Sequence, residues 1–259
     1  MKKIVTIVFA LVLMSASAAS AQGHRGKSEP ALDKNLMELP AIGKSDVILV
    51  YNGFVVNYNT EWLIPNWVAY ELTAQEVDGQ VPRSNSFGMD MEYKGRQAMR
   101  EDYSYSGWDK GHMAPAADMK WSQSAMYECF YLTNICPQDH NLNGKDWHML
   151  EKRVRDWAIK YGNVWVVCGP YVTNNGYGTI GDRKVVVPDG FFKAILRKEG
   201  KEWYSIAFLF KNDSSPQPMK DAVVSVNQVE EMLGLDLFCN LSDKIEDTVE
   251  SQADFSSWK

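Results

Sequence analysis

The sequence predicts an α+β fold, a single domain with a largely antiparallel central sheet flanked by helices. Three observations carry this. β-rich runs recur along most of the chain, two of them joined through Asn52-Gly53 and two through Glu199-Gly200, both of which are hairpin signals. One segment, residues 142–161, places Trp147, Leu150, Val154, Trp157, Ala158 and Tyr161 at helical spacing. The order of strands and helices, with no internal repeat and no linker-like composition after residue 45, suits one α+β domain.

Taken in order, residues 1–21 carry Lys2 and Lys3, an apolar run and the small residues Ala19-Ser20-Ala21. This is the pattern of a secretory signal peptide cleaved after Ala21, so an exported protein, periplasmic or secreted, is expected. The apolar run is too short to cross a bilayer and no later stretch reaches the roughly 20 residues needed, so no membrane association is expected after cleavage. Residues 22–45 are polar, with Pro30 and Pro40, and read as a linker or loosely attached arm. The domain is expected over residues 46–259.

Within it, residues 47–51 and 54–58 form the first hairpin, and residues 67–72 a third strand after a break at Pro65. Residues 81–118 are irregular and charged, and long irregular segments inside a compact domain are often functional. A short strand at residues 130–132 leads to the helix at 142–161. Residues 164–168, 185–187, 191–197 and 203–210 are further strands. Ser225-Val226-Asn227-Gln228 is a capping box opening a helix that stops at Gly234, and a second short helix follows Ser242.

The chain has 33 acidic against 27 basic residues, a net charge of −6, which excludes binding through a uniformly basic surface and leaves room for a local basic cleft. Cys129, Cys136, Cys168 and Cys239 show no CxxC spacing; they fit an oxidising compartment and permit three pairings. Cys168 sits in an apparent buried strand, where a free thiol and a bridge are equally compatible with the pattern.

One stretch concentrates reactive residue types: Gly107-Trp108-Asp109-Lys110-Gly111-His112-Met113-Ala114-Pro115. It reads as a turn in which Gly111 is free to take a positive φ and Pro115 bars a helix. Histidine titrates near neutrality, so His112 is a candidate general base, against the plainer reading of a surface loop histidine. On a continuous helix Asn143 and Glu151 would each lie about 40° from Trp147, on opposite flanks of the apolar stripe. There they would meet a metal, a base or a polar network; alternatively Asn143 is a helix cap and Glu151 a boundary residue. His140 and His148 form no zinc-ligand motif and read as loop and helix-surface residues.

These pieces together are similar to one known family. Asp109 to Pro115, then Asn134-Ile135-Cys136-Pro137-Gln138, then Leu142-Asn143 with Trp147 and Leu150-Glu151 resemble the DNA/RNA non-specific endonucleases. These are ββα-metal nucleases with secreted and mitochondrial members. Asn66-Trp67-Val68-Ala69-Tyr70, Cys168-Gly169-Pro170, Val187-Pro188 and Phe191-Phe192-Lys193 extend the resemblance over nearly all of the chain from about residue 46. It implies a ββα-metal site with His112 as general base and Asn143 as the single protein ligand of a catalytic Mg²⁺, or of Mn²⁺ or another divalent cation. Glu151 matches the acid that holds metal-bound waters, and Asn134 an asparagine near the site. Arg83 matches the phosphate-stabilising arginine. Asn141 lies two residues from Asn143, but the spacing to Glu151 favours Asn143.

Lys110 departs from the family, which has arginine there. Lysine keeps the charge for substrate binding but loses the bidentate fork, so activity or substrate preference shifts. The implied substrates are DNA, RNA or both, cut to 5′-phosphate products with little sequence preference. An inhibitor protein is a further implied partner, and the oligomeric state is left open. Two rival readings are a catalytically weak relative that binds nucleic acid or protein, and a phosphodiesterase for small substrates.

Overall fold

The computed structural model describes residues 32–173 and 176–259. The expected signal segment, residues 1–21, lies outside the described residues. β1 (Val47–Val50) and β2 (Val55–Asn59) pair antiparallel. Neither Asn52 nor Gly53 takes a left-handed φ, so the loop is not the mirror-type turn that Asn-Gly favours. Gly53 is required for space instead, since a Cβ there would lie 2.7 Å from Met119 Sδ and 3.1 Å from Ala125 Cβ. Asn52 anchors the loop by donating its backbone N–H to Glu128 Oε2 at 2.7 Å.

β3 (Ile64–Thr73) is longer than expected and includes Pro65. The proline pairs with Tyr58 beside a register shift at Asn57/Tyr58, the kind of position where a ladder tolerates a missing donor. α1 (Ala74–Val77) follows under a Thr73–Glu76 capping box. Residues 81–118 are largely irregular, as expected, except for a 3-10 turn at Arg100–Tyr103 and β4 (Asp109–His112). α2 (Gln123–Glu128) precedes a 3-10 turn, Leu132–Asn134, and β5 (Ile135–Gln138). The strand expected at residues 130–132 is therefore displaced to 135–138; Tyr131 makes only an isolated bridge to Gly88.

The expected helix at 142–161 is two helices. α3 (His140–Gly144) and α4 (Asp146–Tyr161) meet at Lys145, whose φ of −123° and ψ of −90° break the helix. Asn143 and Glu151 thus lie on different helices, and the angular argument that placed them on one stripe does not hold. The stripe itself does: Trp147, Leu150, Val154, Trp157 and Ala158 are buried. Gly162, at φ +94°, ends α4 and feeds β6 (Asn163–Tyr171).

β7 (Thr179–Ile180) and β8 (Val185–Val186) form a small ribbon. β9 (Gly190–Glu199) and β10 (Glu202–Lys211) form the second expected hairpin, with Gly200 at φ +62° in the first loop position. β11 (Val223–Val224) precedes α5 (Val226–Leu233), which opens under the expected Ser225–Gln228 capping box and ends at left-handed Gly234, and α6 (Asp243–Val249).

The large sheet has the order β1-β2-β3-β6-β9-β10-β11, antiparallel throughout. Successive side chains of a strand point to opposite faces. Phe191 and Ile195 join the layer containing α4 and the β4–β5 pair, while Phe192, Ala194 and Leu196 join a layer with Val226, Val229, Leu237 and Phe238. That second layer also takes in residues expected to be a loose arm. Leu39 is buried in it, Ala41 donates its N–H to Asp236 O at 2.8 Å, and Asn240 Nδ2 donates to Leu36 O at 2.7 Å. The described part of the arm, from residue 32, is packed because its leucines and methionine cover the open sheet face.

All four cysteines are free thiols, three of them buried, so none of the three disulfide pairings is made. Among the described residues no helix is long and apolar enough to cross a membrane.

Candidate active site

β4 and β5 form a two-stranded ribbon with Asp109 opposite Gln138, Gly111 opposite Cys136 and His112 opposite Ile135. The stretch around His112 is therefore a strand and not a turn, and Gly111 has no left-handed φ. Its glycine answers a close approach: a Cβ there would lie 2.1 Å from Gln138 Oε1. Alternation along β4 sends Lys110 and His112 to one side and Asp109 to the other.

The segment after His112 is held by Asn134, which is fully buried. Its Oδ1 accepts from Ala114 N at 2.9 Å, and its Nδ2 donates to Ala114 O at 3.0 Å and Cys129 O at 2.8 Å. Its backbone carbonyl accepts from Met113 N at 3.0 Å. Asn134 is thus committed to the chain around His112 and has little left to offer a substrate.

His112 is 8% exposed and packs between Phe87 and Phe130, with ring centroids 5.2 and 4.8 Å away. Its Nε2 is enclosed and has no hydrogen-bond partner among the described residues. Burial, reinforced by the charge of Arg83, pushes its pKa down to about 3, so the imidazole is neutral at physiological pH. The Arg83 guanidinium lies 5.0 Å over the Phe130 ring and donates Nε–H to Asn85 Oδ1 at 2.8 Å. Lys110 Nζ lies 5.6 Å over Phe87 and 5.5 Å over Tyr103. Burial and the neighbouring Arg100 lower the pKa of Lys110, against the opposing pull of Asp109. Arg83 and Lys110 therefore reach His112 through the two aromatic rings that enclose it, and Arg100 adds charge nearby.

At the Asp109 end of β4, Asp109 Oδ2 accepts from Asn143 Nδ2 at 2.9 Å and lies 3.0 Å from His140 Nδ1. Engaging the amide nitrogen leaves Asn143 Oδ1 as the atom able to coordinate a cation. α3 sets this geometry, with Asp139 as its N-cap accepting from Asn141 N and Leu142 N. Asn143 is not a cap of α4, whose N-cap position is Lys145. Sequence alone points to neither Asp109 nor His140: the acid is one charge inside the motif, and His140 forms no zinc-ligand motif with His148.

Glu151 lies on α4, beyond the break that separates it from Asn143 on α3. Its side chain is 11% exposed and 3.8 Å from His148 Nδ1, and its carboxylate holds the His148 pKa above the usual value. No hydrogen bond joins Glu151 to Asn143 or His112 among the described residues. It borders a buried polar network in which Arg155 pairs with Asp118 at 2.7 Å and Tyr70 donates to Asp118 Oδ2 at 3.0 Å. Burial pushes the Asp118 carboxyl up to about 6 despite that arginine.

Among the described residues no group of three or more His, Cys, Asp and Glu could hold a metal ion. The donor set here is of a different kind, one amide oxygen with nearby carboxylates. It fits a hard cation that retains most of its waters and takes one or two protein ligands.

The family profile for DNA/RNA non-specific endonucleases matches residues 34–244. The chain belongs to this family. It is 32% identical to the mitochondrial nuclease EXOG of Mus musculus over 208 residues, covering 74% of this chain and 56% of that protein. Against the mitochondrial nuclease of Saccharomyces cerevisiae it is 34% identical over 208 residues, covering 71% of this chain and 63% of the relative. Among solved structures, a chain of the EndoG/EndoGI complex superposes with a TM-score of 0.74 at 28% identity, covering 81% of this chain and 91% of that one. The chain thus spans little more than half the length of the mouse endonuclease-family relative.

These relatives overturn the expectation of periplasmic or secreted export, because they are named mitochondrial nucleases. The segment on which the expectation rested lies outside the described residues.

Proposed function

We propose that this protein is a divalent-metal-dependent endonuclease hydrolysing phosphodiester bonds of DNA and RNA. His112 is its general base and Asn143 its metal ligand. The observation that carries the reading is that one short strand, β4, carries both a histidine kept neutral among aromatic rings beside Arg83 and Lys110 and the Asp109 carboxylate that orients Asn143. Family membership supports the same chemistry.

Neutral His112 takes a proton from the water that attacks phosphorus in line with the departing 3′-oxygen. Its depressed pKa keeps it in the accepting form throughout the physiological range. Arg83 and Lys110 bind the phosphate oxygens, which gain negative charge as the bond breaks. Asn134 positions His112 by fixing Met113 and Ala114. Asn143 Oδ1 would hold the Mg²⁺, which when bound would supply charge neutralisation for the phosphate and the leaving oxygen. Glu151 takes the role the resemblance implies, ordering water at the metal end. Mg²⁺ is the ion of choice because the donors are hard oxygens and few. An inhibitor protein is proposed as a partner on the likeness to EndoG, solved in complex with EndoGI. The domain is proposed to include the packed arm, in keeping with a family match that starts at residue 34.

A gel assay of purified protein on plasmid DNA and total RNA tests this. Both are expected to be cut, EDTA to stop cutting, and added Mg²⁺ to restore it. Binding without cleavage in Mg²⁺, Mn²⁺ and Ca²⁺ would instead indicate a binding relative, and turnover of a small phosphoester without plasmid nicking a small-substrate enzyme.

A further inference from the structure

The two ends of the β4 strand face different chemistry. At the His112 end the surroundings are cationic, with Arg83, Lys110 and Arg100. At the Asp109 end they are acidic, since Tyr177 lies in the field of Asp213, Asp189 and Asp139.

An uncharged receiving surface stands there. Trp108, the residue before Asp109, packs against Tyr177 with ring centroids 5.8 Å apart and planes at 36°. Tyr177 is 52% exposed and Trp108 partly exposed, so ring surface remains open to solvent. Trp108 and His112 lie four residue steps apart along the extended chain, about 13 Å, a span covered by a few nucleotides of one strand. Flat aromatic faces receive nucleobases by stacking, with little regard to sequence. Bases inside a duplex have their faces covered by their neighbours and cannot be received without unstacking.

We infer that Trp108 and Tyr177 form a stacking shelf for unpaired bases of the substrate strand. The inference rests on the proposed nuclease site but is tested without cleavage. Equilibrium binding is measured by fluorescence anisotropy with His112→Ala protein in EDTA. The probes are a labelled oligothymidylate and an abasic strand of equal length, which has the same phosphates and no bases. The normal strand is expected to bind about tenfold more tightly than the abasic one. Tyr177→Ala and Trp108→Ala, each added separately, are expected to remove most of that difference, and Tyr177→Phe, which keeps the ring, to retain it. Equal binding of the two strands, or equal weakening of both by the alanine substitutions, overturns the shelf. Plasmid cleavage that goes with base-independent binding overturns the shelf alone; base-dependent binding without cleavage by the native protein overturns the nuclease reading alone.

Discussion

The two faces of the central sheet are built from the same strands and to different standards. In β9, Phe192, Ala194 and Leu196 enter a layer that is almost wholly apolar, closed by α5, α6 and the arm. The intervening residues of the same strand include Lys193 and Arg197, both buried, on the face that supports the ribbon carrying His112. Burying a charge is costly unless it is paired. Arg197 is clasped by Tyr161 and Tyr204 rings at 4.0 and 3.9 Å and donates to Glu199 Oε2 at 2.7 Å. Lys193 Nζ lies 4.6 Å from the Trp147 ring and beside the Cys168 thiol, and its charge acts on the buried Asp118 carboxyl. The difference teaches where packing quality is exchanged for function: one face fastens the fold, the other holds polar groups in a fixed arrangement.

Substitutions on the two faces should therefore separate activity from stability. Asn143→Ala should lower cleavage by about 100-fold, with partial recovery at raised Mg²⁺ and an unchanged melting temperature, read by metal titration of plasmid nicking. On the opposite face, Leu196→Ala should cost about 3 kcal/mol in denaturant unfolding and leave the specific activity of the folded protein intact. Asn134→Ala should cross the divide. It leaves the carbonyls of Ala114 and Cys129 and the Ala114 N–H without partners, lowering stability by about 2 kcal/mol and also slowing cleavage.

A smaller effect is expected from Glu250, a buried carboxyl on the apolar side. It is 3% exposed, its Oε1 has no hydrogen-bond partner among the described residues, and burial, aided by Glu230 and Glu246, pushes its pKa up to about 9. The folded protein then binds a proton that the unfolded chain releases near pH 4.5, so stability falls as pH rises from there towards 9. Glu250→Gln should remove part of that fall, and thermal melts at pH 5 and pH 8 would show the gain only at the higher pH.

Much of the scaffold could be read from the chain. The Ser225 cap, the Glu199-Gly200 hairpin and the buried stripe of α4 are local signals, set by residues close in sequence. What was not legible depended on distant partners. Gly53 and Gly111 looked like backbone hinges, yet each is glycine because a side chain from elsewhere occupies its space. The helix break at Lys145 is silent in hydrophobic periodicity, because the apolar positions of α4 all follow it. Pro65 looked like a strand end and sits at a bulge defined by β2. The candidate site residues stand out in the sequence by type, but the pairing of Asp109 with Asn143 and His140 needs the ribbon and α3 together. So does the destination of Lys110, which lies over the Phe87 ring that also covers His112.

The central claim is that His112 performs the chemistry, and comparing native and His112→Ala protein on supercoiled plasmid in Mg²⁺ tests it most directly. The account predicts at least about a 1,000-fold loss of nicking with the melting temperature retained and oligonucleotide binding preserved. Nicking by the folded His112→Ala protein at the native rate would contradict it.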